Sequence, residues 1–214
     1  MLRTNNSVSA LFGVIFFVIA ATSATAQVDD KAQFNQERDG VRGKVATLGC
    51  CRCLGGTNSL DLSTISSNAW TVNGNAVAFL TTVHPLWNLT TGSAKWVSTV
   101  ATGGTGNVAA GFYEYKLQFV VPACAIEQRV TLAGNYGGDD DAGVFLDNVT
   151  TSTSSLIASC GGGWCFNNTN NSNPRSFTPI TVPPGAYYLR VKINNSGGPS
   201  GMFVNAKLTS TCRN

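Results

Sequence analysis

Two stretches of this chain alternate strictly between apolar and polar residues, and this pattern constrains the fold more than any other feature. In residues 113–119, aromatic and aliphatic side chains alternate with Glu114, Lys116 and Gln118. Residues 188–193 alternate in the same way. Successive side chains of a β-strand point to opposite faces. Each stretch therefore predicts a strand with one buried and one solvated face, which is typical of an antiparallel sheet.

Short runs rich in Val, Thr, Phe, Tyr and Ile recur from residue 45 onwards, separated by Gly, Asn, Pro and Ser. Such runs predict strands at residues 59–63, 70–72, 76–81, 95–99, 111–121, 128–135, 143–146, 156–159, 175–181, 186–194 and 201–211. No window carries a useful 3.6-residue hydrophobic period. About ten strands in one domain predict an all-β fold, an antiparallel β-sandwich or jelly roll.

The N-terminus has the three parts of a secretory signal peptide. Arg3 supplies a positive charge, residues 11–21 are apolar apart from one Gly, and residues 24–26 (Ala-Thr-Ala) are small. We therefore predict a signal peptide over residues 1–26 and a secreted protein, either extracellular or at the cell surface. The apolar run is about half the roughly 20 residues of a membrane-spanning helix, so no membrane span is expected.

Residues 27–49 differ from the rest of the chain in charge. Acidic and basic residues are concentrated there and apolar residues are few. We predict a polar charged leader over this segment, because it lacks the alternation of a strand. The remaining residues, 50–214, are enough for a single β-sandwich domain.

Seven cysteines in an exported chain predict a fold braced by disulfides. Cys160 and Cys165 flank residues 161–164, three of which are Gly. A stretch this flexible allows the two cysteines to meet, and we expect them to pair.

Three further cysteines, Cys50, Cys51 and Cys53, are crowded at the start of the predicted domain. Cys124 and Cys212 are expected to find partners among them. One member of the cluster is then left over, either free or cross-linking two chains. Metal binding by the cluster is the weaker alternative, because zinc sites usually space their cysteines more widely and add a second pair or histidines.

The order of motifs along residues 50–212 is distinctive. A loop region with paired tryptophans, Trp87 and Trp96, precedes a predicted strand that ends at Pro122. The Asp-rich residues 139–141 then lead to another strand, and a Pro-Gly pair at 184–185 starts the last hairpin. This order resembles the galactose-binding-like jelly-roll domain of exported bacterial proteins.

The resemblance implies a jelly-roll fold over nearly the whole mature chain. Domains of this type often bind carbohydrate, and some hold a structural calcium ion. The chain departs from the pattern at residues 147–148, which are Asp-Asn where the family usually has Asn-Gly. Fold alone does not determine function, so the residues have to be considered individually.

The densest acidic group is Asp139, Asp140 and Asp141, which follows Gly137 and Gly138. Calcium takes six to eight oxygen ligands, and three carboxylates in a glycine turn could supply several of them. A structural calcium ion at these three residues is the only cofactor that the sequence predicts. The alternative is a solvated turn between strands, where Asp is favoured for its turn chemistry.

Aromatic and amide side chains in the two longest predicted loops form a candidate sugar site. The apolar face of a pyranose stacks on a flat ring, while amides bond its hydroxyls. Trp87 and Trp164 lie in predicted loops, which favours exposure, whereas Trp70 and Trp96 lie in predicted strands. The candidate ligand-binding residues are His84, Trp87, Trp164, Asn167, Asn168 and Asn170.

Several function classes are disfavoured. Charged residues make up 12% of the chain, the net charge is +3, and Lys and Arg are scattered, so no nucleic acid partner is expected. His84 is the only histidine and no nucleophile elbow accompanies it. A glycosidase needs two neighbouring carboxylates, and the sequence cannot show that any two of its candidates meet: Asp61, Glu114, Glu127 and Asp147.

We therefore predict a secreted, non-catalytic module that binds carbohydrate or a cell-surface glycan, or that acts in adhesion. The alternative is a self-assembling structural subunit of an extracellular matrix, surface layer or filament. Low charge, a surface rich in Thr, Asn and Gly, and the leftover cysteine would suit such self-association. A glycan-active hydrolase is a third and weaker hypothesis.

Overall fold

The computed structural model of the protein describes residues 45–51, 55–87, 89–162, 165–166 and 174–213. These residues form thirteen strands and no helix. The strands are arranged in two sheets, in which every pairing but one is antiparallel. The predicted all-β, disulfide-braced antiparallel sandwich is confirmed.

The first sheet has seven strands: β1 (Ala46–Thr47), β3 (Thr71–Val72), β4 (Asn75–Ala76), β7 (Gly111–Val121), β9 (Asp141–Asn148), β10 (Thr153–Cys160) and β12 (Gly185–Asn195). Their order is β10-β9-β12-β7-β3-β4. The short strand β1 pairs with β7 in the parallel sense. Long strands therefore form most of this sheet, and the short strands β3 and β4 lie at one of its ends.

The second sheet has six strands: β2 (Thr57–Asp61), β5 (Ala78–Phe79), β6 (Val97–Ser98), β8 (Gln128–Asp139), β11 (Arg175–Thr181) and β13 (Gly201–Cys212). Their order is β11-β8-β13-β6-β5, and β2 pairs with β13. Twelve residues of β13 are in register with β8. This long pair forms the centre of the second sheet.

The core fills the space between the sheets, and the alternating strands face it as predicted. Tyr115, Leu117 and Phe119 of β7 are at most 1% exposed. Burial of each large aliphatic side chain stabilises the fold by about 1.5–3 kcal/mol relative to an exposed position. The inward residues of the other long strands complete this core: Val130, Leu132, Tyr187, Leu189, Val191, Ile193, Met202, Val204, Ala206 and Leu208.

Several strand bounds differ from the prediction, such as those of β10, which covers Thr153–Cys160 where residues 156–159 were predicted. Two short segments differ more. The predicted strand 76–81 is divided into β4 and β5, which belong to different sheets. Val77 separates them and bonds the carbonyl of Trp70. The sequence analysis missed β1, and it assigned to the leader Leu48, which is 1% exposed in the core.

The Asp-rich segment is not a glycine turn, so that part of the prediction is wrong. β8 runs through Gly137 and Gly138 to Asp139, and β9 begins at Asp141. The chain passes here from the second sheet to the first. Side chains of Phe203 and Ile193 leave no room for a Cβ at the two glycines. Close packing, against the neighbouring strand β13 at Gly137 and against β12 of the other sheet at Gly138, therefore explains the glycine pair better than turn formation does.

Three disulfides brace the sandwich, and they agree with the predicted scheme. Cys160 pairs with Cys165 across the predicted loop. The other two bonds join the N-terminal cluster to distant parts of the chain: Cys50–Cys124 reaches the connection between β7 and β8, and Cys51–Cys212 reaches the end of β13. The remaining cysteine of the sequence, Cys53, lies outside the described residues. No helix suited to crossing a membrane occurs in the described part of the chain.

Candidate functional site

The predicted aromatic loop packs into the molecule instead of lining its surface. Trp87 is 4% exposed, so the prediction that it is exposed is wrong. Its ring stacks on Trp96 with the centroids 4.4 Å apart, and Trp96 meets Phe203 edge-on at 5.0 Å. We call the buried set the Trp87 cluster: Trp87, Leu89, Ala94, Trp96, Phe166 and Phe203. Sequence reasoning missed this because an irregular loop gives no period from which burial can be read.

A carboxyl group forms the polar end of the Trp87 cluster. Trp87 Nε1 donates a hydrogen bond to Asp139 Oδ2 at 2.9 Å. Burial, followed by the hydrogen bond and the charge of Asp140, raises the pKa of Asp139 to about 8 against the smaller opposing effect of Trp87. Asp139 is therefore largely a neutral carboxylic acid at pH 7.

Asp140 behaves in the opposite way. Burial disfavours its ionised form, but the hydrogen bonds from Asp139 and from Ser196 outweigh burial and lower its pKa. The Ser196 backbone N–H donates to Asp140 Oδ2 at 2.8 Å, and the Ser196 hydroxyl donates to the same oxygen. Two adjacent carboxyl groups thus hold different protonation states because their surroundings differ.

This arrangement bears on the predicted calcium site at Asp139, Asp140 and Asp141. Asp139 Oδ2 already accepts a hydrogen bond from Trp87 Nε1, and Asp140 Oδ2 already accepts one from the Ser196 backbone N–H. Within the described ranges, no group of three or more His, Cys, Asp or Glu residues is arranged to hold a metal ion. Calcium binding by these residues stays a prediction.

Of the other predicted ligand-binding residues, His84 is the one that lies within the described residues. His84 is half-buried, its ring lies 5.9 Å from Trp87, and its Nδ1 accepts a bond from the Leu86 N–H at 3.3 Å. The remaining predicted members lie outside the described residues: Trp164, Asn167, Asn168 and Asn170.

A different surface brings charged and aromatic side chains together. It is the outer face of the seven-stranded sheet, where the polar side of the alternation in β7 and β12 points to solvent. We call it the Arg190 face and define it by the outward residues of four neighbouring strands: Phe112, Glu114, Lys116, Gln118, Phe145, Asp147, Ser154, Leu156, Tyr188, Arg190 and Lys192.

Strand register aligns these residues in rows across the sheet. One row runs Leu156, Phe145, Arg190, Lys116 and Thr71, through β10, β9, β12, β7 and β3. Cross-strand neighbours on one face lie about 4.5–5.5 Å apart at Cβ. This row therefore places the ring of Phe145 beside the guanidinium of Arg190.

Arg190 connects the centre of the face. Its Nε donates to Asp147 Oδ2 at 2.6 Å and its Nη2 donates to Asp147 Oδ1 at 3.1 Å, a two-point contact. Nη1 donates to Glu114 Oε1 at 3.2 Å. The guanidinium also lies 4.3 Å from the ring centroid of Phe145. Hydrogen bonding to Asp147 is the main cause that raises the pKa of Arg190, so it is fully charged.

Two more cation–aromatic pairs flank this centre. Lys192 Nζ lies 4.6 Å from the ring centroid of Phe112, and Lys116 Nζ lies 5.9 Å from that of Tyr188. Phe112 is 63% exposed, which is unusual for a ring of this size. The face thus combines an accessible ring with side chains that hydrogen bond in fixed directions.

The structure also brings together two of the carboxylates considered for a glycosidase. Glu114 and Asp147 both bond the guanidinium of Arg190. The sequence analysis could not find this meeting, because 76 and 43 residues separate Arg190 from these two partners. Only the register of β7, β12 and β9 brings the two carboxylates to Arg190.

A trough of about 470 Å³ lies at the side of the sandwich where β10 and β11 approach each other. Its apolar lining includes Leu146, Ile157, Ile180 and Tyr187. Hydroxyl and amide groups complete it, and none of its lining residues is charged. The Tyr187 hydroxyl donates to the Pro183 carbonyl at 2.9 Å and is not available to a ligand as a donor.

Comparison with known proteins does not assign the chain to a family. No family model matches, and no curated protein matches. A mutant of CBM29-2, a family 29 carbohydrate-binding module, aligns at 10% identity and a TM-score of 0.29, covering 67% of this chain and 93% of that chain.

A second solved structure is the cycloalternan-forming enzyme from Listeria monocytogenes in complex with a pentasaccharide substrate. It aligns at 12% identity and a TM-score of 0.27, covering 76% of this chain and 20% of that chain. Neither similarity identifies a ligand or a site for this protein.

Proposed function

We propose that the protein is a secreted, non-catalytic module that binds carbohydrate through the Arg190 face. The observation that carries the proposal is the pairing of the exposed Phe112 ring with Lys192, beside the Arg190–Asp147–Glu114 network. Phe112 offers a flat apolar surface, and the network offers directional polar groups. A pyranose presents these same two kinds of surface, an apolar ring face and a rim of hydroxyls.

The network has spare hydrogen-bonding capacity. Arg190 has five N–H donors, and four are directed to Asp147, Glu114 and Ser154. The carboxylates accept from Arg190 and retain further lone pairs, since an ionised carboxylate has about four acceptor sites. A sugar hydroxyl could therefore donate to a carboxylate while accepting from the remaining Arg190 N–H.

The face is ordered before any ligand arrives. Arg190 is held by two carboxylates and by the ring of Phe145, and Lys192 lies against Phe112. Fixing a rotamer-rich side chain on binding costs about 0.5–1.5 kcal/mol. Side chains that are already fixed avoid much of that cost, which favours binding of a weakly interacting ligand such as a sugar.

The non-catalytic part of the proposal is supported by the same contacts. In a glycosidase the two carboxyl groups flank the scissile bond, and one of them must deliver a proton. Here the guanidinium of Arg190 bonds both Glu114 and Asp147. Secretion is supported by the signal-peptide pattern and by the three disulfides, which persist in oxidising compartments.

The test is affinity electrophoresis of the mature protein in gels that contain neutral or acidic polysaccharides, followed by calorimetry with oligosaccharides of any that retards it. We expect retardation by at least one polysaccharide. Phe112→Ala should weaken that binding by about tenfold, because a stacking contact contributes about 0.5–1.5 kcal/mol beyond area burial. Arg190→Gln should weaken it further.

Val100→Ala is the matched control, because Val100 is an exposed apolar residue (48%) that lies outside the Arg190 face. Its affinity should equal that of the wild type. Failure of every polysaccharide to bind the folded protein would overturn the proposal. Binding that is lost in a Trp87→Ala variant shown to be folded, but is retained in Phe112→Ala and Arg190→Gln, would move the site to the aromatic loop.

A further inference from the structure

The edges of the two sheets differ in how well they are protected from pairing with another chain. An edge strand presents unpaired N–H and C=O groups, and natural proteins block such edges with short strands, charges, prolines or bulges. Strands β1, β4 and β5 have two residues each, β2 ends at Asp61, and β11 contains Arg175 and Pro179.

Strand β10 lacks the first three of these protections, and its one irregularity lies beyond residue 156. It has eight residues, Thr-Ser-Ser-Leu-Ile-Ala-Ser-Cys, with no charge and no proline. It ends the first sheet, and no strand in the described part of the chain pairs with its outer side. A register shift between Leu156 and Ala158 interrupts its pairing with β9, so the regular stretch is residues 153–156.

An exposed apolar side chain lies at the end of this regular stretch. Leu156 is 57% exposed and is the cross-strand neighbour of Phe145 on the Arg190 face. Ser154 lies on the same face, because it bonds Asp147 and Arg190 there. The edge thus combines an exposed leucine with backbone groups that no described strand pairs.

We infer that β10 pairs antiparallel with β10 of a second copy of this chain. Two copies related by a two-fold axis normal to the sheet keep outward residues opposite outward residues. With Ser155 at the axis, Ser154 of one copy lies opposite Leu156 of the other. Every pair is then neutral, so no like charges oppose each other, whereas like charges directly opposite destabilise a sheet. Because β10 has no charged residue, it favours an uncharged partner strand such as its own copy over a charged one.

The geometry of this pairing has a functional consequence. The two seven-stranded sheets become one continuous sheet, and both Arg190 faces lie on the same side of it. The row from Leu156 through Phe145 to Arg190 then continues across the axis into the second copy. A polymer that spans the seam could contact both faces, and linked sites raise the apparent affinity without any new contact. The pairing itself does not depend on the carbohydrate proposal.

The test is light scattering coupled to size exclusion, with the mature protein loaded over about 10 µM to about 1 mM and no carbohydrate present. We expect the mass to rise towards that of a dimer. Leu156→Lys places a cation beside the axis in both copies, and should raise the dissociation constant by at least about tenfold. Val100→Lys introduces the same charge at another exposed apolar residue and should leave it unchanged.

Hydrogen exchange then locates the contact. The amides of residues 153–156 that point away from β9 should become protected as the wild-type concentration rises, and should remain unprotected in Leu156→Lys. Exposed Leu156 carries little of the core packing, so near-wild-type thermal unfolding of this variant checks its fold. A wild-type protein that stays monomeric at the highest concentration would overturn the inference. So would a dimer that Leu156→Lys does not weaken, or protection that appears only outside β10.

Discussion

The Trp87 cluster and the Arg190 face both combine aromatic rings with carboxyl groups, but they differ in their access to water. In the cluster, Trp87 is 4% exposed and its Asp139 partner is 6% exposed. On the face, the Phe112 ring is 63% exposed, and Glu114 and Asp147 bond a guanidinium. The same residue types are therefore used for packing in one region and remain accessible in the other.

The comparison teaches that burial and neighbouring groups together decide the chemistry of a carboxyl group, since burial raises the pKa of Asp139 although the hydrogen bond from Trp87 opposes the rise. Asp139 is buried beside an indole N–H, and it keeps its proton up to about pH 8. Asp147 shares two hydrogen bonds with the cation Arg190. In both cases an acid lies near an aromatic residue, yet only Asp147 is placed to meet a ligand from solution.

The largest expected effect is on stability within the Trp87 cluster. Trp87→Ala removes a buried ring that stacks on Trp96 and leaves Asp139 without its indole donor. The free energy of unfolding should fall by about 3–5 kcal/mol, measured by guanidinium chloride denaturation. A loss of less than about 1 kcal/mol would contradict the burial of this loop.

A second prediction concerns the pH dependence of that stability. The pKa of Asp139 rises from an ordinary 3.8 to about 8 on folding, so the folded state binds more protons between these values. The contribution of Asp139 to stability is full below about pH 4 and is lost as the pH rises to about 8, with a slope of at most about 1.4 kcal/mol per pH unit. The lowered pKa of Asp140 acts only at lower pH, where its contribution is lost as the pH falls.

Asp139→Asn is the matched variant for this titration. Its amide can accept from Trp87 and donate to Asp140 as the protonated acid does, but it has no proton to release. Urea unfolding between pH 5 and pH 8 should show the slope in the wild type and a flatter profile in the variant. Equal slopes in the two proteins would assign the titration to another group.

The smallest effect is expected on the Arg190 face. Phe112→Ala should change the free energy of unfolding by no more than about 0.5 kcal/mol, because the ring is largely exposed and packs mainly on Lys192. Thermal or denaturant unfolding of Phe112→Ala and Trp87→Ala, measured side by side, compares their losses in the free energy of unfolding. A large loss of stability would mean that Phe112 is a packing residue and not an accessible one.

Much of the sandwich could be predicted from the sequence. The predicted bounds of β7 and β11 match the structure, because alternation and flanking Gly or Pro mark both strands locally. Buried and solvated sides of β7 and β12 also follow from a period of two. The Cys160–Cys165 bond could also be predicted from local sequence, since only a short flexible stretch separates its cysteines.

The candidate site could not be predicted in the same way. Glu114, Asp147 and Arg190 meet only because β9 and β7 flank β12 in one register, and no local pattern encodes that order. The Asp-rich segment looked like a turn because Gly-Gly-Asp is typical of turns, but packing against Phe203 and Ile193 determines its conformation. Burial of Trp87 likewise depends on residues more than a hundred positions away, such as Phe203.

The Cys51–Cys212 bond has a mechanical consequence. It joins the beginning of the described domain to the end of β13, across 161 residues of chain. A pull applied between Cys51 and Arg213 would pass through that covalent link and would bypass the hydrogen-bonded ladders of residues 57–211. A module that holds a surface under flow would keep its Arg190 face intact under such tension. The same module would extend once the bond was reduced.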